Sequence, residues 1–381
     1  MGMRNGQTAG KAKEREQEKE YLYWMCSRVE GLGAVSIRKA WEFAGSFREA
    51  FYIEGTEFFR QGIFRRESMA AGFEKAKKEL EISRKEYREL EERKIRFITP
   101  LDEEYPERFR NIYDYPMGLW VKGRLPEESR PSAAIVGSRG CTSYGEQAAE
   151  YMGRELGRNG VQVISGLAMG VDGAGHRGAL KAGGRTWAVL GSGVNVCYPK
   201  SHYPLYQDIL ENGGILSEYP PGASPRAFHF PVRNRLISGL SDVILVIEAG
   251  EKSGSLITAH LGLDQGKEIF ALPGRITDRV SRGCNELIRD GASILTAAED
   301  VLEYLGISKE NKGISCEKQD KGLAKIEKMV YSFLDCEPKH VEEICAALNL
   351  ETSRCMNVLL DLELGGWIER TAGQYYVRRV L

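Results

Sequence analysis

Apolar residues recur every three or four positions from Tyr21 to about Ile98, in stretches such as YLYWMCSRVEGLGAVSIRKAWEFAG and the more charged FEKAKKELEISRKEYRELEERK. That spacing places them on one face of successive helices. Between Ala133 and Ala298 the pattern changes to short β-branched runs separated by helical stretches. Strands are predicted at Ala133–Gly137, Val161–Ser165, Thr186–Leu190, Gly214–Ser217, Val243–Ile247, Glu268–Ala271 and Ser293–Thr296. Strands alternating with helices imply an α/β fold with a mainly parallel, doubly wound sheet. The stretch GISKENKGISCEKQDKG has no periodicity and reads as a linker. After it come three helical patterns and two short strands around Ala372 and Gly373, the order of a winged helix.

The polar first residues carry no apolar face, which predicts a disordered arm. The expected organisation is therefore an arm (1–19), a small helical domain (20–97), a sheet domain (98–305), a linker (306–322) and a winged helix (323–381). In the helical domain, Gly31 and Gly33 stand between two helical patterns. They fit either a helix-hairpin-helix turn that admits a DNA phosphate or a tight corner that needs two glycines.

With 381 residues and a net charge of −1, the chain is long enough for several cores and is not a polyanion binder by bulk charge. Any nucleic-acid role must rest on a local patch. Eight cysteines without CxxC or CxxH spacing suggest neither a metal site nor a disulfide framework. The N-terminus lacks an apolar signal core, and no apolar run approaches the ~18 residues of a membrane span. A soluble, cytoplasmic protein without a membrane span is expected.

A parallel sheet gathers the carboxyl ends of its strands at one edge, where ligands bind. The predicted strands end in GSRG (Gly137, Ser138, Arg139), SGLAMGVD (Gly166 to Asp172), GSGVNVCYPK (to Lys200), SEYPPG and EAGEKSGSLITA (with Ser253, Gly254, Ser255). Glycines let backbone amides approach a ligand, and amides and hydroxyls at helix N-termini suit phosphate oxygens. Arg139, Lys200, Arg233 and Arg235, with Asn234 between the last two, add cations to that edge. As a set they favour a groove for a phosphate backbone, where cations supply most of the affinity.

Cofactor and catalytic patterns fit less well. The first loop is not followed by the acidic ribose ligand of a dinucleotide site, and no Walker A sequence, G-x-S-x-G elbow or H-E-x-x-H occurs. Asp172 and His176, one helical turn apart, could be acid–base machinery or a helix-capping Asp with a hydrogen-bonded His. Glu248 has the same ambiguity. No cofactor and no metal are expected.

Taken together, IVGSRGCTSYG, VISGLAMGVDGAGHRGAL, VLGSGVNVCYP, SEYPPG, FPVRNRLISGLSDVILVIEAGEKSGSLITA and NELIRDGA resemble the DNA-processing protein A (DprA/Smf) family, from about Ile98 to Leu302. The resemblance implies an extended Rossmann-like domain between a helix-hairpin-helix or SAM-like domain and a winged helix. It also implies sequence-independent single-stranded DNA binding in a basic pocket, without catalysis. Protection of incoming DNA, loading of RecA recombinase in natural transformation, contact with single-strand-binding protein and homodimerisation through the sheet domain follow from the same likeness. By motif, Arg139 and Lys200 match the family's DNA-binding basic residues, and Gly137, Ser138, Gly166 and the Ser253–Gly254–Ser255 turn match pocket positions. Asn195 and His202 depart from the usual Asp and Asn of one loop.

Tyr144, Tyr198 and Phe230 could stack bases or belong to the core. The alternative from another class is a nucleoside-monophosphate phosphoribohydrolase with Glu248 in its site, although the PGGxGTxxE signature of such enzymes is missing. In the winged helix, seven Lys and Arg stand against nine Asp and Glu, and the expected recognition helix has Arg354 as its one cation amid acids such as Asp361 and Glu363. That charge pattern predicts protein contacts in place of duplex reading.

Overall fold

The computed structural model describes residues 2–307, 324–335 and 337–378. Its N-terminal unit comprises α1 (Gly2–Arg28), α2 (Ala34–Ala44), α3 (Phe47–Tyr52), α4 (Gly55–Arg60), α5 (Glu67–Lys77) and α6 (Leu80–Arg88). Tyr21, Leu22, Tyr23, Trp24 and Met25 of α1 are all buried, so this stretch of the helix is enclosed on every side, and the Trp24 indole donates to the Ala76 carbonyl at 2.7 Å. Gly31 turns the chain between α1 and α2 with a φ of +78°, which glycine adopts without strain.

The expected disordered arm is corrected by α1, which starts at Gly2 and carries polar anchors the composition conceals. The Glu18 carboxylate accepts the Phe47 amide at 2.6 Å beside the N-cap Ser46. Lys19 pairs with Asp102 at 3.2 Å, and Glu20 with Arg84 at 3.1 Å. A charged run is helical here because its side chains find partners on three neighbouring segments.

The central unit runs through β1 (Arg96–Ile98), α7 (Glu107–Arg110), β2 (Leu119–Gly123), β3 (Ser132–Val136), α8 (Ser143–Arg158), β4 (Gln162–Ser165), α9 (Val171–Lys181) and β5 (Thr186–Leu190). It continues through α10 (Tyr203–Asn212), β6 (Gly214–Ser217), α11 (His229–Leu240), β7 (Val243–Val246), α12 (Gly254–Asp264), β8 (Glu268–Ala271), α13 (Arg282–Arg289), β9 (Ser293–Ile294) and α14 (Ala298–Tyr304). Among the described residues these strands form one sheet in the order β1-β2-β6-β5-β4-β3-β7-β8-β9. From β6 to β9 the neighbours are parallel; β2 joins β6, and β1 joins β2, antiparallel. β1 straddles the expected boundary at residues 97 and 98.

Alternation along β3 sorts the packing. Ala133 and Ile135 face α8, α9 and α14, while Ala134 and Val136 face α11, α12 and α13. Gly153 and Gly178 bring α8 and α9 together so closely that a Cβ at either would meet the other helix's backbone. The core of the helical unit is continuous with the sheet through Trp120, Ala188, Leu190 and Ile215.

The last unit has α15 (Lys325–Phe333), β10 (Lys339–His340), α16 (Val341–Leu348), α17 (Thr352–Leu364), β11 (Ile368–Arg370) and β12 (Tyr375–Arg378), with a sheet in the order β10-β12-β11 and its own core. This is the winged helix. Residues 308–322 of the expected linker lie outside the described residues. Among the described residues no helix is long and apolar enough to cross a membrane.

Candidate nucleic-acid interface

The chain builds β3 to β6 outward in one direction and then returns to place β7 on the other side of β3. The loops after β3 and β7 therefore diverge and leave a crevice at the carboxyl edge. The Ser138 amide donates to the Glu248 carbonyl at 2.6 Å, locking these two loops together. Gly170, at a φ of +74°, lets the loop after β4 lie against the Ser138 and Arg139 carbonyls. Gly137 is equally constrained, since a Cβ there would lie 2.6 Å from Val171 and 2.9 Å from the Glu248 carbonyl.

These loops and α11 enclose a groove of about 610 Å³, lined by Gly137 to Gly140, Asp172, Tyr198, Phe230, Arg233, Asn234 and Ser253 to Ser255. Arg139 is exposed and holds its guanidinium 5.0 Å from the centre of the Phe230 ring, which also lies 5.7 Å from the Tyr198 ring and 5.9 Å from the Arg233 guanidinium. A cation over an aromatic face keeps its charge while its position is restricted. On the opposite wall α12 begins, with Ser253 as N-cap and its hydroxyl 2.8 Å from that of Ser255. The first turn of α12 thus presents the positive end of its dipole to the groove.

The groove floor is set by Arg233, 4% exposed, which donates to the Gly166 carbonyl at 3.1 Å and to the Val189 carbonyl. Burial pushes its pKa down to about 10, and the Arg139 charge adds to that, against the pull of Asp172. Asp172 accepts the Gly166 amide at 3.1 Å and the Ala168 amide at 3.4 Å. Burial raises its pKa, with Arg233 opposing. Gly166 leaves the space between them: a Cβ there would lie 2.6 Å from the Arg233 guanidinium and 2.8 Å from the Asp172 carboxylate. The Asn234 side chain donates to the Gly254 carbonyl at 3.1 Å and so ties α11 to the start of α12.

Two of the four expected edge cations stand elsewhere. Arg235, two residues after Arg233, points to the other side of α11, where it binds Glu218 at 2.7 Å and Asp114 at 2.8 Å. It is 6% exposed and has no place in the groove. Lys200 is exposed in a turn just outside the lining, and the neighbouring Ser201 hydroxyl lies 3.6 Å from the Met169 sulfur. It stands on the rim.

The candidate acid–base groups are engaged as well. His176 is fully buried against the Thr186 hydroxyl at 2.6 Å, and burial pushes its pKa down to about 3, so it forms no working pair with Asp172. Asp172 ties its preceding loop and does not cap its own helix. Glu248 accepts the Thr142 amide at 2.8 Å and hydroxyl at 2.6 Å, closing the N-terminus of α8 outside the groove. Asn195 accepts the Gly222 amide at 2.7 Å, and the His202 ring lies 3.1 Å from the Leu167 carbonyl, so both departures join loops to loops. Tyr144 packs beside the α8–α9 core, whereas Tyr198 and Phe230 face the groove. Among the described residues no group of three His, Cys, Asp or Glu converges as a metal site would.

Pro225 and Ala227 also line the groove, a wall the sequence reading missed. Its only signal was the proline-rich run YPPGASPRAF. Arg226 of that wall pairs with Glu30 of the helical corner at 3.4 Å.

Residues 96–306 match the family described as DNA recombination-mediator protein A, and residues 317–374 match the DprA winged helix domain. Protein Smf of Escherichia coli is 39% identical over 73% of this chain and 76% of that protein, and the DNA processing protein DprA of Streptococcus pneumoniae is 45% identical over 53% and 71%. A crystal structure of the S. pneumoniae protein superposes with a TM-score of 0.65 at 36% identity, covering 74% of this chain and 97% of that one. A structure of DNA processing protein A from Helicobacter pylori, titled for its single-stranded DNA binding mode, superposes with a TM-score of 0.50 at 33% identity, covering 55% and 95%. Sheet order, groove and these likenesses agree, and the chain belongs to the DNA recombination-mediator protein A, or DprA/Smf, family.

Proposed function

We propose that this protein binds single-stranded DNA without sequence preference in the switch-point groove, protects incoming strands and hands them to RecA recombinase during natural transformation. The observation that carries the reading is the pairing, across one groove, of the exposed Arg139 on Phe230 with the N-terminus of α12. A guanidinium and a helix start recognise phosphate without reading a base. Tyr198 and Phe230 offer faces on which any base can stack. The single-stranded DNA binding named for the H. pylori relative supports the same ligand. Homodimerisation and contacts with RecA and single-strand-binding protein rest on family membership.

We infer a binding protein and not an enzyme. Asp172, which lines the groove, and Glu248, which follows β7, are both committed to backbone amides, which weakens the phosphoribohydrolase alternative. The test is fluorescence anisotropy with labelled oligonucleotides of several sequences across a salt series. Equal affinities that fall steeply with salt, and fall again in Arg139→Ala with a shallower slope, support the reading. Unchanged affinity in the Arg139→Ala, Lys200→Ala double variant sinks it. Base release from nucleotides that disappears in Glu248→Gln would restore the hydrolase.

A further inference from the structure

In a parallel sheet the loop after β8 lies beside the loop after β7, so the groove has a neighbour on that side. The two are fastened together. The Gly283 amide donates to the Ala249 carbonyl at 2.8 Å, and a Cβ on Gly250 would lie 3.3 Å from the Arg279 carbonyl. The β8 loop is itself pinned by Asn285, whose amide group exchanges hydrogen bonds with the Gly274 backbone at 3.2 and 3.0 Å. This is a fixed surface.

Its outward residues are cationic. Lys252 is exposed next to Ser253, where the groove wall ends, and Arg279 and Arg282 are exposed just beyond it. Among the described residues neither Lys252 nor Arg279 has an ion pair. Arg282 pairs with Glu251 at 3.0 Å with both side chains about half exposed, and such pairs contribute little. Asp278 is the acid of the β8 loop itself, and Arg275 is paired with Glu337 of the winged helix. On the far side of the groove the rim carries Lys200. A polyanion lying across the switch point therefore meets cations on both sides of the groove.

We propose that a single strand held in the groove continues over the turn between β7 and α12, where Lys252 stands, onto the β8 loop and the start of α13, where Arg279 and Arg282 stand, and that these three cations bind its backbone phosphates. The path rests on the single-strand reading above and adds a second, length-dependent subsite to it. The Glu251 pair on Arg282 is displaced by phosphate at small cost, since Arg282 exchanges one anionic partner for another and Glu251 returns to solvent-screened surroundings.

The test compares the full chain, the triple variant Lys252→Gln, Arg279→Gln, Arg282→Gln, and Arg139→Gln, by anisotropy on oligothymidylates of about six and about twenty nucleotides. Because the three side chains are exposed, unchanged thermal melting checks that the triple variant is folded. For the long strand the triple variant should bind roughly tenfold more weakly, with a salt slope shallower by about two units, from roughly 0.7 per phosphate contact. For the short strand it should match the wild type within about twofold, while Arg139→Gln weakens both lengths. A triple variant that binds the long strand normally, or loses equally at both lengths, overturns the path alone when Arg139→Gln still weakens binding. Wild type that binds neither strand overturns the path together with the reading beneath it.

Discussion

The carboxyl edge of the central sheet and the outer face of α17 are both addresses at which proteins meet nucleic acid, and in this molecule they display opposite chemistry. The edge presents Arg139 on an aromatic ring, with a helix start across from it. The outer face of α17 presents Asn357, Leu360, Asp361 and Leu364, with Leu360 52% and Leu364 78% exposed. Arg354 at its start is followed by no second cation. A recognition helix needs cations at phosphates to hold it in the groove while its other side chains read bases. Architecture supplies a location in both regions, but only the groove supplies the charge. We expect the winged helix to meet a protein surface.

The largest effect should come from the part of the comparison hidden inside α11, where one arginine serves the groove and the other serves the fold. Arg235→Ala leaves the Glu218 carboxylate, already raised in pKa by burial, without its main counter-charge. Removing one partner of a buried pair costs about 3–5 kcal/mol. Urea denaturation should show that loss. A variant of normal stability with weakened oligonucleotide binding would instead return Arg235 to the groove.

Arg139→Ala should cost less and act only on binding. A charge-assisted contact contributes about 1.5–3 kcal/mol, so single-strand affinity should fall by roughly tenfold or more at low salt, with melting unchanged. Equal loss of stability and affinity would mean that its stacking on Phe230 holds the loop and not the ligand.

These two arginines also mark where sequence reasoning stops. The parallel strands were legible because residues buried on both faces make short unbroken apolar runs such as AAIV and VILVI. β1 and β2 were not, since RFI and LWVKG are short and their partners lie far along the chain. The glycine loops announced the groove, because a parallel sheet must bring them to one edge. The fate of each cation was invisible, because it depends on a partner that spacing cannot name. Asp114 lies 121 residues before Arg235. The same holds for Glu248, whose hydrogen-bond partner Thr142 sits 106 residues away. The charged start of α1 failed for the converse reason, since composition counts charges and cannot count their partners.

A smaller effect separates the two regions by pH. His176 is neutral in the folded state, with its pKa near 3 against an ordinary 6.5. Its stabilising share is complete above pH 6.5. As pH falls below that value, the unfolded chain takes up a proton that the native state refuses, so stability declines by at most about 1.4 kcal/mol per pH unit. His176→Gln should flatten the decline between pH 6.5 and 5, as followed by urea midpoints. The decline belongs to the central unit, whose α9 carries His176.

The smallest effect is the most pointed. The winged helix has a core of its own, and among the described residues none of that unit belongs to the three cores of the remaining chain, so ending the protein at residue 307 leaves those three cores intact. If the acidic, apolar face of α17 is not a nucleic-acid surface, the shortened chain should bind single-stranded oligonucleotides within about twofold of the full one at every salt concentration, and with the same slope, because no phosphate contact is lost. Leu360→Asp with Leu364→Asp in the full chain should be equally silent, and duplex binding should be weak with or without α17. A tenfold loss on truncation, or a slope shallower by about one unit in Arg354→Ala, would mean that a single cation at the start of α17 is enough to bring it onto a phosphate. The contrast between the two regions would then be one of degree, with the groove as the stronger of two nucleic-acid surfaces.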